Sequence, residues 1–271
     1  FSMVDTWLAN QLFSNISSTS KILIVGDSDK LPSVSPGQVL ADFLQIPSLP
    51  QTRLERIYRQ SEESTIVTLA SQFRQGILPA DFTQKKADRS YFEIASNQIP
   101  ATIEKILDAA IRSGIPARDI QVLAPMYRGT AGIDAINQLM QELLNPLQKG
   151  QISFEASQFQ YRSGDKVIHL VNDAEVNVFN GDLGYITDLI PGKYTESKQD
   201  EMMIDFDGNE VSYPRNEWYK IRLAYAMSIH KSQGSEFPVV FLPITSASKR
   251  MLERNLIYTA ITRAKSKLIL L

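Results

Sequence analysis

The 271-residue chain carries 28 Lys and Arg against 30 Asp and Glu, a net charge of −2, with 43% hydrophobic residues and no cysteine. Without cysteine there are no disulfides or thiolate metal sites, and two histidines leave little for a histidine cluster. No low-complexity tract, secretory leader or membrane-length apolar run occurs, so a folded protein with no membrane span is expected, and a cytoplasmic location fits.

The charge is unevenly spread. Residues 220–271 hold nine basic and two acidic side chains, whereas residues 151–219 hold five basic and thirteen acidic. That asymmetry suggests distinct modules, and a local basic surface can serve a polyanion although the whole chain is acidic.

Phe1-Ser2-Met3-Val4-Asp5 reads as sequence from within a longer protein. A helical stretch (Trp7, Leu8, Leu12, Phe13) follows, then polar punctuation at Ser17–Ser20. Lys21–Val25 is a continuous apolar run ended by Gly26-Asp27, the pattern of a strand buried on both faces of a parallel sheet. Ser64 is placed to cap a helix carrying Ile66, Val67, Leu69, Ala70 and Phe73. Ile103, Ile106, Leu107, Ala110 and Ile111 share one helical face, stopped by Gly114 and Pro116. Ile120–Ala124 is the next strand, and Thr130 is expected to cap a helix with Ile133, Ile136, Met140 and Leu143 on one side. This alternation predicts an α/β layer fold.

From about Gln151 to Tyr219 the pattern changes to short strands: Asp165–Val171, Tyr185–Ile190, Glu201–Phe206 and Glu210–Tyr213. Asn180-Gly181, Pro191-Gly192 and Asp207-Gly208-Asn209 separate them, which predicts a small antiparallel barrel inserted into the α/β layer. Phe237–Ile244 and Lys267–Leu271 return to apolar strands around a helix near Glu253–Thr262.

Three clusters carry candidate chemistry. Ligands in open α/β sheets bind outside the carboxyl ends of strands, and each cluster is expected there or beside a strand. In Gly26–Val34, Asp27 lies directly past the first apolar run; alone it reads more readily as an ordinary polar turn. In Leu54–Gln60, arginines offer planar donor forks suited to phosphate, although most arginines are solvated surface charge. In the tail, His230-Lys231-Ser232-Gln233-Gly234-Ser235-Glu236 feeds an apolar strand. Tyr258-Thr259-Ala260-Ile261-Thr262-Arg263-Ala264 then places an arginine at the end of a helix, where it can equally be a helix-dipole partner.

Taken together, the order and spacing of these clusters resemble the superfamily 1 DNA helicases, and within them the RecD-like group that includes the alpha subunit of exodeoxyribonuclease V. Gly26–Val34 resembles the family's third motif, Tyr58-Arg59-Gln60 the fourth, His230–Phe241 the fifth and Tyr258–Ala264 the sixth. The resemblance implies RecA-like P-loop NTPase motor domains, the first partial, with a small SH3-like β-barrel insert. Residues 1–95 would be the trailing part of the first motor domain, 96–150 and 220–271 the second, and 151–219 the insert.

It also implies roles. Arg59 and Arg263 would reach the γ-phosphate of ATP, with Asp27 beside it. Gly234, Glu236 and Lys30 would hold the nucleotide, Glu236 accepting from the ribose. His230 and Ser232 would lie toward single-stranded DNA. Lys30 stands where the family usually has glutamine; an ammonium donates but cannot accept. No Gly-x-x-x-x-Gly-Lys-Ser/Thr occurs: Gly192-Lys193 is followed by Tyr194. The full-length parent is thus expected to bring its own phosphate loop and Mg²⁺-binding acidic pair, and these 271 residues to be inactive alone. Translocation 5′ to 3′ and exodeoxyribonuclease V-type partner subunits follow from the subgroup. A non-catalytic DNA- or protein-binding remnant, or the helicase part of a conjugative relaxase, are the alternatives.

Overall fold

The computed structural model describes residues 1–54 and 64–271. In chain order the helices are α1 (Thr6–Ser14), α2 (Val39–Phe43), α3 (Thr65–Arg74), α4 (Ile99–Arg112), α5 (Ile133–Leu144) and α6 (Arg254–Ile261). The strands are β1 (Arg89–Tyr91), β2 (Ile120–Ala124), β3 (Ser153–Ala156), β4 (Phe159–Arg162), β5 (Lys166–His169), β6 (Leu183–Ile190), β7 (Glu201–Phe206), β8 (Asn209–Pro214), β9 (Ile221–Leu223), β10 (Ala226–Ser228), β11 (Phe237–Leu242) and β12 (Ala264–Leu270).

Five strands form a parallel sheet in the order β1-β12-β11-β2-β10. Strand alternation sends successive side chains to opposite faces, so both faces must be covered for such apolar strands to be stable. Ile120, Val122, Val239 and Phe241 pack with Ile103 and Leu107 of α4 and with Ile133, Ile136 and Met140 of α5. Leu123, Val240, Leu242, Leu268 and Leu270 pack on the other face with Ile66 and Leu69 of α3 and with Leu256 and Ala260 of α6. The Ser64 side chain caps α3 by accepting from the Val67 amide, as the sequence predicts. Helix α5 instead begins after Gly132, whose backbone is extended. Thr130 is not its cap, because residues 129–132 form a turn that delays the helix.

Helix α3 and strand β1 fall within the stretch read as part of the first motor domain, yet they join the sheet built from the later segments. Strand β1 pairs with β12, and α3 packs on α6. The predicted strand Lys21–Val25 is overturned. The segment forms no ladder with any described strand; Leu23 is 88% exposed and Val25 69% exposed. The Phe1 nitrogen donates to the Val25 carbonyl at 2.8 Å. A run of this kind becomes a buried strand only with a strand on each side, and among the described residues none lies there.

The insert is antiparallel, and its sheet takes in β9, which lies just past the expected end at 219. A five-stranded sheet runs β8-β7-β6-β5-β9, and the β3–β4 hairpin stands as a separate pair. The two are joined by packing, with the Phe154 ring stacked 5.4 Å from that of Trp218. A buried carboxylate fastens the insert to the parallel layer. Asp165 accepts from Gln141 Nε2 (2.6 Å), Asn145 Nδ2 (2.8 Å), the Arg162 amide (2.8 Å) and Tyr225 Oη (3.0 Å). Burial pushes its carboxyl pKa up against these donors.

Candidate functional site

The parallel sheet has two opposite edges, and residues 229–236 form the shortest of the segments that join them. Strand β10 ends at Ser228, level with Ala124 at the carboxyl end of β2. Strand β11 starts at Phe237, paired with Ala264, the first residue of β12. Residues 229–236 therefore carry the backbone from the carboxyl edge of the sheet back to its amino edge. His230 and Lys231 stand at the first edge, Gly234 and Glu236 at the second.

A cavity of about 210 Å³ opens at the amino edge, lined by Ser2, Met3, Lys30, Gln233, Gly234, Glu236, Thr259 and Arg263. Four of the sequence-predicted nucleotide residues, Lys30, Gly234, Glu236 and Arg263, come together here although they span more than 230 positions. The edge differs from the expectation. Glu236 and Arg263 immediately precede β11 and β12, so this cavity sits at strand beginnings and not at carboxyl ends.

Arg263 is 3% exposed. Its Nε donates to the Thr259 carbonyl (3.2 Å), Nη1 to the Ser235 carbonyl (2.7 Å) and Nη2 to Thr262 Oγ1 (3.2 Å). Three donors fixed to the backbone and helix end hold the planar fork in one orientation at the cavity wall. Gly234 has φ +89°, the left-handed region that glycine adopts at least cost, and a side chain there would meet nothing within 4 Å. The backbone is thus bare where a ligand can approach it. Glu236 pairs with Lys265 at 3.7 Å.

Asp27 stands behind the lining. Its Oδ2 accepts from Tyr258 Oη (3.0 Å) and its Oδ1 from the Asp29 amide (3.0 Å). Burial and the nearby Asp27 carboxylate push the Tyr258 phenol up to about 12, so it remains a donor at neutral pH. Two further bonds lock the 27–31 loop to the tail: the Leu31 amide donates to Thr259 Oγ1 (3.0 Å), and Gln233 Nε2 donates to the Leu31 carbonyl (2.9 Å). Sequence reasoning gave no role to Gln233, Tyr258 or Thr259, although all three lie inside the motifs it quoted. Their membership in those motifs was the only available signal.

His230 and Ser232 lie off the cavity. His230 is half-buried toward the carboxyl edge. Ser232 is buried with its hydroxyl donating to the Ile229 carbonyl (2.8 Å), so that side chain holds the turn. Lys231 Nζ reaches Asn180 Oδ1 of the insert at 3.0 Å. Arg59 lies outside the described residues. Among the described residues no group of three or more His, Asp or Glu is arranged to hold a metal ion, and no helix is long and apolar enough to cross a membrane.

Residues 1–96 match the AAA domain family, 136–206 the ATP-dependent RecD-like DNA helicase SH3 domain, and 223–271 the UvrD-like helicase C-terminal domain. The chain is 31% identical over 268 residues to the ATP-dependent RecD2 DNA helicase of Deinococcus radiodurans, covering 98% of this chain and 34% of that protein. It is 28% identical to the RecBCD enzyme subunit RecD of Mycolicibacterium smegmatis, covering 98% of this chain and 48% of that one. It therefore spans about a third to a half of the length of these relatives. Among solved structures, the Pif1 helicase of Candida albicans shares the fold at a TM-score of 0.57 and 18% identity, over 100% of this chain and 70% of that one. The Bacteroides Pif1 helicase in complex with ADP-AlF3 and ssDNA gives 0.52 and 17%, over 90% and 60%.

Proposed function

Because the chain belongs to the RecD-like group of superfamily 1 DNA helicases, we propose that it is part of an ATP-driven motor that moves along single-stranded DNA, 5′ to 3′. The observation that carries this is the 229–236 segment. It has basic residues at one sheet edge and, at the other, a cavity of about 210 Å³ walled by the buried Arg263 guanidinium.

In this reading the amino-edge cavity takes the nucleotide. Arg263 stabilises the charge that develops on the departing γ-phosphate, and Arg59 is proposed to share that role. Gly234 lets the backbone close on the ligand, and Glu236 accepts from the ribose. Lys30 points its ammonium to the phosphates, and Asp27 orients the loop that carries it. Movement of the 27–31 loop passes through Thr259 and Gln233 into the 229–236 segment, and so to the carboxyl edge. His230 and Lys231 follow the DNA backbone there, and Ser232 contributes by shaping the turn. The excess of basic residues after position 220 agrees with a polyanion at that edge.

The nearest carboxylate in the cavity, Glu236, is already paired with Lys265. Among the described residues none forms a Mg²⁺ cage. Mg²⁺ and the phosphate loop are proposed to come from the remainder of a longer parent. The layout proposed is the trailing part of a first motor domain at 1–95, then a second at 96–150 and 220–271, interrupted by the insert at 151–219, with β1 near the end of the first stretch pairing with β12 of the second. Partner subunits of the exodeoxyribonuclease V type and a cytoplasmic location follow from the RecD-like reading.

The test is ATP turnover with and without single-stranded DNA. The 271-residue chain is expected to show little, and the longer parent to show DNA-stimulated hydrolysis. Arg263→Ala in the parent should lower turnover by roughly 10³-fold or more, the scale of an arginine finger. Turnover unchanged by that substitution would rule the assignment out.

A further inference from the structure

The nucleotide and backbone assignments leave two exposed rings at the carboxyl edge without a role. Tyr127 lies three residues past the end of β2, as Lys231 lies three past the end of β10. The two strands are parallel neighbours with Ser228 level with Ala124, so the residues share one edge. Tyr127 is 38% exposed, and the Arg222 guanidinium sits over its ring 4.9 Å from the centroid. Arg222 is held in place by Asp134 at 2.8 Å. Its charge, after burial, lowers the pKa of the Lys231 ammonium, which puts the two cations in one neighbourhood.

On the far side of Lys231 stands the insert. The 179–182 turn brings Asn180 Oδ1 to Lys231 Nζ at 3.0 Å. Gly181 has φ +105°, and a side chain built on it would come within 3.9 Å of the Lys231 carbonyl, so the turn lies close to the tail. The turn is also rigid. The Phe179 amide donates to Asp182 Oδ2 (2.7 Å), the Asn180 amide to Asn172 Oδ1 (3.0 Å) and the Gly181 amide to the His169 carbonyl (2.9 Å). Phe179, at the start of this fixed turn, is 45% exposed.

Lys231 thus bonds the turn that carries Phe179 on one side, and on the other the register of β2 and β10 sets it on the same edge as Tyr127, whose ring the Arg222 guanidinium covers. Exposed aromatics held by rigid neighbours beside cations suit unpaired bases, whose faces stack on rings while phosphates meet ammonium groups. We propose that Tyr127 and Phe179 are base-stacking platforms for single-stranded DNA, with Lys231 on the intervening phosphate, so that the insert supplies one wall of the track. This rests on the motor reading above and adds the contacts to the bases that the reading lacks.

The experiment is fluorescence anisotropy of the 271-residue chain with a labelled oligothymidylate and with an abasic strand of equal length. The unaltered chain should prefer the strand with bases. Tyr127→Leu and Phe179→Leu should each weaken oligothymidylate binding by about tenfold, at the lower end of the stacking range, and leave abasic binding unchanged. Phe179→Tyr should restore affinity. Lys231→Ala should weaken both strands and lower the dependence on log salt by roughly one counterion. Leucine variants that bind both strands like the unaltered chain, or lose both equally, overturn the stacking assignment while the motor reading stands. Absence of any oligothymidylate binding by the unaltered chain overturns both.

Discussion

Residues 1–54 and the parallel sheet of residues 64–271 contain segments that look alike as sequence and behave differently as structure. Lys21–Val25 and Phe237–Leu242 are both short apolar runs beside polar, glycine-containing turns. The second is buried between two parallel neighbours, with Val240, Phe241 and Leu242 fully covered. The first belongs to no strand and is largely exposed. Burial of a strand is a property of the strands and helices around it, and no run of side chains secures it alone. The cavity lies where the two regions meet: Ser2, Met3 and Lys30 come from the first, and Gln233, Thr259 and Arg263 from the second.

The largest effect on stability should come from opening the covered strand. Phe241 is fully buried between α4, α5 and the sheet. Phe241→Ala removes its packing and leaves a cavity that the rigid surroundings fill only partly, at a cost of about 3–5 kcal/mol. Urea denaturation of the variant and the parent chain measures it. A loss under about 1 kcal/mol would mean that the parallel sheet is not the stable part of the molecule.

Much of this was legible beforehand, and the residues show why. The helical faces of α4 and α5 are written as 3.6-residue periodicity, and β7 is written as alternation between turn residues. Each is a local signal that burial then reinforces. The short strands β1, β9 and β10, of three residues each, carried no such signal. They are strands because neighbours offer them ladders. The clustering of Lys30, Gly234, Glu236 and Arg263 was foreseen through a family resemblance and not from spacing. The edge on which they cluster was misjudged because the usual carboxyl-edge rule says nothing about a segment that crosses the sheet. The bonds of Thr259 and Gln233 to Leu31 bridge more than 200 positions and leave no trace in local pattern.

A smaller effect tests a polar cost inside the well-packed region. Lys166 is buried, donating to the Arg118 carbonyl at 3.4 Å and lying 5.6 Å from the Phe237 ring centroid. Burial pushes its pKa down to about 8, against a model-compound value of 10.5, with the Asp119 charge opposing. Between those values the unfolded chain binds more protons than the folded one, so this group makes stability rise with pH from about 8 to about 10.5. Lys166→Met removes the burden of the buried charge and keeps the stem volume. It should raise stability at pH 7 by at most about 3 kcal/mol and abolish this group's share of the rise. Denaturation of both proteins at pH 7 and pH 10 gives the comparison. A variant less stable than the parent at pH 7 would show that the ammonium is held favourably.

The smallest effect belongs to the exposed run, and it is the one that decides what that run is for. Leu23 projects into solvent, so Leu23→Ser in the 271-residue chain should change stability by no more than about 0.5 kcal/mol. In a longer parent that covers the segment with flanking strands, the same substitution would put a hydroxyl into an apolar layer and cost about 2 kcal/mol or more. Hydrogen exchange gives a second measure, since amides of Lys21–Val25 lack ladder partners here and should exchange far faster than those of β11. If Leu23→Ser is neutral in both polypeptides and the amides stay unprotected in both, the run is a surface segment in its own right. The difference between the two regions would then lie in their own residues and not in what surrounds them.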